Sequence, residues 1–411
     1  MSDDLTFAGE ALAPARAEAE SRLEAMGLPG RRDEYWRWTR PEGFTGPLQA
    51  FPAHTEERPF FDDLDALHLV FVDGCFDAAQ SDPLDGMEGI EITPLARAGA
   101  WAAELYGQIE QMGQTPVARP LAALNTARAT EGLAIRVTGK PARPVHVIHR
   151  RKSDDADPIW HHLIRMEPGS ELTLIETGLA GSRQNNMIEA EIRDGARLHL
   201  IAARPAGESE VALSQLFARV HEKATLKSFA LSVDGKLMRH EGQIDLVGDD
   251  GVVHMAGAVL GDGRRGPFHH DDTLFITHDA LRCESRQVYK KVLKNGAQGV
   301  FQGKILVKPD AQKTDGYQIS QALLLDEDSQ FLAKPELEIY ADDVACSHGC
   351  TSGELDETAL FYLRSRGVPR PQAEVLLVLS FLADALEEVE DEDLRHALTV
   401  RLEDWLYRGA A

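Results

Sequence analysis

Apolar positions along this chain change their period twice. Near the start, Leu12, Ala15, Ala19, Leu23 and Met26 recur at helical spacing, and the run ends at Gly27 with Pro29 just beyond, so one helix is predicted over Leu5 to Met26. The following Arg31-Arg32-Asp33-Glu34-Tyr35-Trp36-Arg37-Trp38 is dense in aromatics and charge, which suits an amphipathic clamp fixing that helix to the body. Leu67 to Val72 reads as a strand entering the Asp73-Gly74 turn, Ile90 to Thr93 as a second short strand, and Leu95 to Met112 as a helix. Residues 1–130 thus form a helical, mixed α/β front region.

From about Gly132 to Val344 the helical period gives way to short β-type runs: Ala134 to Val137, Val145 to His149, Leu172 to Ile175, Leu198 to Ala202 and Leu226 to Leu231. A small or polar turn followed by an alternating strand recurs at Gly169, Gly195, Lys223, Gly251 and Asp279, with successive starts 26, 28, 28 and 28 residues apart. A fixed period of that size signals one supersecondary unit stacked many times, here a coil of two or three strands hydrogen-bonded only to its neighbours. A β-sandwich with evenly spaced hairpins would look similar. Two-residue hairpin turns are scarce, Asn295-Gly296 being the exception, which favours the solenoid. The chain is therefore read as mainly β, with a β-helix core over 131–350.

After Gly353 the helical period returns over Asp356 to Arg366, Pro371 to Val389 and Asp393 to Tyr407, giving a helical C-terminal domain over 351–411 set off by a Gly349 to Gly353 corner. The acidic series from Asp384 through Asp393 reads as solvated helix ends. The longest strongly apolar stretch, Val375 to Leu386, is interrupted by Ser380 and Asp384 and falls short of a bilayer span, so no membrane partner is expected.

Charge narrows the function classes. Lys plus Arg number 43 against 67 Asp plus Glu, a formal balance of −24, which argues against nucleic acid or anionic lipid as the main partner. The acidic start lacks the basic and apolar segments of a signal peptide, which points to the cytoplasm. Four cysteines, Cys75, Cys283, Cys346 and Cys350, cannot make a disulfide framework and read as free thiols or metal ligands.

The most suggestive chemistry is Cys346-Ser347-His348-Gly349-Cys350, at the end of the strand-like Glu336 to Tyr340. If the strand continues, spacing of two puts Cys346, His348 and Cys350 on one face, and thiolate with imidazole is a ligand set for zinc, copper and iron-sulfur sites. A closed tetrahedral site needs further ligands, so this is half a site, and a buried structural cysteine beside a turn histidine is the competing interpretation. His269-His270-Asp271-Asp272, with His278 and Cys283 downstream, and His161-His162 read as polar surface or turns, because adjacent strand residues point to opposite faces. No phosphate loop is present: Gly139-Lys140, Gly235-Lys236 and Gly303-Lys304 are followed by Pro, Leu or Ile. Neither a Gly-x-Ser-x-Gly elbow nor a dinucleotide fingerprint occurs. ATP, if used, must bind another subunit.

The run Lys334 to Val344, then Cys346-Ser347-His348-Gly349, Gly353, Leu355-Asp356 and Leu360-Phe361-Tyr362-Leu363-Arg364-Ser365-Arg366-Gly367 resembles the signature of the SufB/SufD family of the SUF iron-sulfur cluster assembly machinery, on its SufD side. Leu28-Pro29 with Glu34, Trp36 and Thr39, Leu124-Asn125-Thr126-Ala127, and Phe301-Gln302-Gly303-Lys304-Ile305 with Gln312-Lys313-Thr314 resemble the same family. The resemblance implies a right-handed parallel β-helix between helical ends and a subunit that is not itself an enzyme. It also implies pairing with the paralogue SufB through the β-helix and docking of the ATPase SufC on the C-terminal helices. Cys346 and His348 match the family's Cys and His at the SufB junction, where a nascent cluster forms. No tightly bound cofactor is implied for the isolated chain, only transient iron or cluster in the complex. Without its paralogue the chain could form a homodimer. Cys350 departs from the family pattern and is assigned no role. A metal-dependent enzyme with a self-contained Cys/His site, and a purely structural β-solenoid module, are the readings from other classes.

Overall fold

The computed structural model describes residues 10–53, 60–61, 63–115, 117–207, 209–264 and 266–410. Its body is a parallel β-solenoid of two facing sheets. From Leu133 onward successive strands alternate between them, so the chain crosses from one sheet to the other and back in each coil. The sheets have ten and nine strands, and from Leu133 onward all the pairing within both is parallel. In the ten-stranded sheet Glu171 lies beside Arg197, then Thr225, Val252, Glu284, Asp315 and Ala345, steps of 26, 28, 27, 32, 31 and 30 residues.

The sequence beat therefore tracks one sheet of a solenoid whose coil contains two strands. Its physical origin is a left-handed residue at the same corner of each coil: Gly169, Gly195, Lys223, Asp250, Arg282 and Lys313 all have φ between 54° and 72°. The last counted start fails. Asp279 lies in a turn, and the strand begins at Glu284, because Val252–Asp262 runs to eleven residues and is followed by a longer crossover.

The largest apolar cluster fills much of the inside of the solenoid and includes Leu69, Val147, Ile164, Leu200, Leu226, Met255 and Phe301. Both outer faces are apolar too. Leu163, Met187 and Phe217 on the nine-stranded sheet pack with Leu12, Leu105 and Ile109 from the front helices. Phe229, Leu231, Ala258 and Val292 on the ten-stranded sheet share a cluster with Val375, Val378, Leu382, Leu394 and Leu398 from the C-terminal helices. Helices on both sides explain why many central strands are buried almost continuously rather than alternating.

At the front, the first helix is Ala13–Met26 after a short turn at Glu10–Leu12; residues 5 to 9 lie outside the described residues. The predicted helix over Leu95 to Met112 is divided into Ala100–Leu105 and Gln108–Gly113, because Gly107 takes φ 74°. The strand Leu67–Val72 pairs in parallel with Val145–Arg150, so the ten-stranded sheet takes in residues from the front section. The tryptophan segment does act as a clamp: Arg239 stacks 4.1 Å from the Trp36 ring, and Tyr35 meets Phe275 edge-on at 4.9 Å. The last three helices are Glu357–Ser365, capped by the Asp356 carboxylate, then Arg370–Leu386 and Glu392–Ala410.

Candidate functional site at the open end of the solenoid

The two ends of the solenoid are closed differently. At the front, antiparallel strands Cys75–Phe76 and Ile90–Pro94 finish the sheets. At the back, Gln330–Ile339 and Ala345–Gly353 are the outermost strands of their sheets, each hydrogen-bonded in its sheet on one side only. Gln330–Ile339 is half-buried along most of its length, and Ile339 and Tyr340 are 39% and 60% exposed. An uncovered pair of strand edges with apolar side chains between them is an adhesive surface.

Cys346 and His348 sit on this last strand. The expected continuation of the strand from Glu336 does not occur: the chain turns over Tyr340 to Val344 and crosses to the other sheet, so Cys346 belongs to a new strand. Gly349 to Gly353 is likewise strand rather than a corner. The ladder from Asp315 beside Ala345 to Leu323 beside Gly353 has no bulge, so residues 346, 348 and 350 share one face. That face is the inner one. Cys346 packs against Ile305, Val307, Ala311 and Ala341, and Cys350 against the central core. His348, between them, is exposed because no further coil covers it.

Burial pushes both thiols above their ordinary value, opposed by the backbone amides of Gly316 at Cys346 and Ser320 at Cys350. A soft cation binding here must displace a thiol proton, so its affinity rises with pH. The N-terminal clamp reaches the same end: Tyr35 donates to Glu336 at 2.7 Å, and Lys334 pairs with Glu34.

The remaining sequence candidates have structural roles. His269 and Asp271 face outward and hold Thr39 and Arg239 under the clamp, whereas His270 and Asp272 face inward beside Lys291. All except the half-buried His269 are fully buried in a strand, not a surface turn, because the clamp covers one face and the core the other. His161 and His162 are buried as well. His161 points out to Glu189 at 2.8 Å, and His162 points in.

Sequence reasoning did not find the one group of three ligating side chains among the described residues, His149, His162 and Glu176, whose ligand atoms lie within 4.8 Å of one another. They come from three strands, and only the register unites them. The arrangement is a buried carboxylate flanked by two imidazoles and a guanidinium, with both imidazole nitrogens 3.8 Å from the same oxygen. The Leu133 amide donates to His162 Nδ1 at 3.0 Å, which fixes the proton on Nε2, facing Glu176 Oε1 at 3.8 Å. Arg204 stands 3.5 Å from the other oxygen. His149, His162 and Arg204 outweigh burial and hold Glu176 down to about 2, and burial holds His162 down to about 4.

Residues 149–381 match the SUF system FeS cluster assembly, SufBD core domain. The chain is similar to the iron-sulfur cluster assembly protein SufD of Escherichia coli, 28% identical with 98% of this chain and 95% of that protein aligned. It is similar to an iron-sulfur cluster assembly SufBD family protein of Mycobacterium tuberculosis, 25% identical over 97% and 95%. It is also similar to SufD of Bacillus subtilis, 27% identical over 63% and 60%. A parallel solenoid, helices on both of its faces, and a core-domain match over more than half the sequence agree: the chain belongs to the SufBD family of the SUF iron-sulfur cluster assembly system.

Proposed function

We propose that this chain is a non-catalytic, SufD-like scaffold subunit that pairs through its open solenoid end with a SufB chain and carries a SufC ATPase on its C-terminal helices. The observation that carries this reading is the uncapped terminal coil, which presents Cys346 and His348 inward at an edge that a related solenoid could continue. Two ligands from this chain leave coordination positions that the partner must fill, so iron or a nascent cluster is cargo held between chains. The missing phosphate loop supports a division of labour in which the partner binds ATP.

Coexpression with a SufB and a SufC tests the site. Cys346→Ala, His348→Ala and the double variant are expected to assemble normally and to retain less iron and sulfide after anaerobic purification, the double variant least. Full iron and sulfide in all three would remove the ligand assignment. The ATPase dock is tested separately. Phe361, Tyr362 and Leu376 are 74%, 56% and 40% exposed on the last helices, and exposed aromatics are common binding anchors. Phe361→Glu should weaken ATPase binding by roughly 2 kcal/mol or more, about 30-fold, in calorimetry. Unchanged affinity in Phe361→Glu and Leu376→Glu would move the dock elsewhere.

Without a SufB chain, the same open edges can pair with a second copy about a two-fold axis. The isolated chain is therefore expected to be a dimer in light scattering. A monomer mass at the highest concentration reached would count against self-pairing.

A further inference from the structure

We propose that Cys350 is a metal ligand of this chain, forming with His348 a chelate for a thiophilic divalent cation such as ferrous iron, over a floor made by Gln318 and Ser320. The inference rests on the reading of the open end as the cluster site and goes past it, because it gives His348 a second thiol partner.

Spacing sets the possibilities. In a regular strand, residues two apart lie about 6.6 Å apart and residues four apart about 13 Å. His348 can share a cation with either neighbouring thiol, but Cys346 and Cys350 cannot both reach one ion from the same strand, given metal–sulfur bonds near ~2.3 Å. The terminal strand therefore carries two overlapping pairs, Cys346 with His348 and His348 with Cys350.

The floor distinguishes them. Each residue of the terminal strand lies directly above one in the preceding coil: Cys346 above Gly316, His348 above Gln318, Cys350 above Ser320. Cys346 fills an apolar recess. Its sulfur is 3.2 Å from where a Cβ on Gly316 would stand, and Ile305, Val307 and Ala341 surround it. Cys350 also packs against the apolar core, so the difference is that the recess under Cys346 offers a bound thiolate no polar side chain. Beneath His348 and Cys350, by contrast, Gln318 and Ser320 are wholly buried, and neither the Gln318 Nε2 and Oε1 nor the Ser320 Oγ has a hydrogen-bond partner. Gln318 is held in place by passing over Gly303, where a Cβ would come within 1.8 Å of its amide nitrogen. Gln287, one coil deeper in the same column, is unpartnered as well, but Gln318 and Ser320 lie directly under the open strand, where a ligand can supply a partner.

A bound thiolate supplies it. When a cation takes the Cys350 sulfur, the thiol proton leaves to solvent, and the resulting S⁻ can accept from the Ser320 hydroxyl in the coil directly beneath it. That hydroxyl then has a partner, and the ligand is oriented, as outer-shell donors do at metal sites.

The isolated full-length chain, reduced and anaerobic, is titrated with Co²⁺ and read by thiolate-to-cobalt charge-transfer absorption. The wild type and Cys346→Ser should show the band. Cys350→Ser and His348→Ala should lose it, and Ser320→Ala should weaken Co²⁺ binding about tenfold with thermal melts unchanged. A band that survives Cys350→Ser, a band lost instead in Cys346→Ser, or no band in the wild type overturns the inference. In the purified complex with SufB and SufC, Cys350→Ser should at least halve iron and sulfide. If it retains both while Cys346→Ala and His348→Ala lose them, this inference fails and the proposed function stands. If all three retain full iron and sulfide, both fall.

Discussion

A chain ending at residue 353 is expected to be insoluble, or to melt far below the full-length protein. The C-terminal helices cover the outer face of the ten-stranded sheet, and Arg370–Leu386 lies on strands Val252–Asp262 and Glu284–Lys294. Val375, Val378, Leu382, Leu386, Leu394, Leu398 and Leu402 are buried there together with Phe229, Leu231, Leu260 and Val292. Fully burying one such side chain contributes roughly 1.5–3 kcal/mol, and the total stability of a folded domain is only about 5–15 kcal/mol. Losing even half of these contacts is comparable to that whole margin. The exposed sheet face would also be a large contiguous apolar patch. Polar ties would go with it, including Lys290 to Asp384 at 2.7 Å and His254 to Glu388 at 2.8 Å. The measurement is soluble yield and thermal melting of residues 1–353 against the full chain. A soluble product with an unshifted melt would mean that the helices are a detachable appendage. Point changes on the exposed side, such as Phe361→Glu, are therefore the sound way to probe the ATPase dock.

The solenoid was legible because its corners repeat. One left-handed residue per coil recruits Gly, Asp or a tolerated Lys or Arg, and that punctuation survives in the sequence even though the strands themselves are too uniformly apolar to show which face is inside. The repeat drifted at Asp279 because crossover length is free to vary without disturbing the ladder. The candidate site was legible only as a motif. Alternation through Glu336, Leu337, Glu338, Ile339 and Tyr340 reads straight on toward Cys346, and nothing local announces the turn that sends it to the other sheet. Gln318 and Ser320 acquire meaning only from the register that puts them under His348 and Cys350. The buried histidines were misread for a related reason. A polar residue in a strand signals solvent when one face is wet, and here helices and core leave neither face wet.

Those buried histidines set the last expectation, that the protein unfolds cooperatively as the pH falls from 6.5 toward 4. Burial lowers His146 to about 3 and His162, His199 and His278 to about 4, and lowers His270 well below its ordinary value. A lowered imidazole is neutral when folded but takes up a proton when unfolded once the pH drops under about 6.5, so in that window the unfolded chain binds more protons. Stability is therefore complete above 6.5 and declines as the pH falls toward 4, by up to about 3 kcal/mol for each group lowered to about 4. Glu176 does not offset this, because its depressed value adds stability that persists until the pH falls from 4.5 toward 2. Glu131 and Asp245, raised by burial, oppose the trend, but they are two groups against five. Several such imidazoles suffice to exhaust a margin of about 5–15 kcal/mol. Tryptophan fluorescence across pH 7 to 3 should show one transition with its midpoint inside the window. His278 is the cleanest probe, since burial alone lowers it and its 2.8 Å bond to Ser285 can be kept by asparagine. In His278→Asn the slope of unfolding free energy against pH should flatten by up to one proton. An unchanged slope, or a wild type that stays folded below pH 4, would show that these histidines are not what acid attacks.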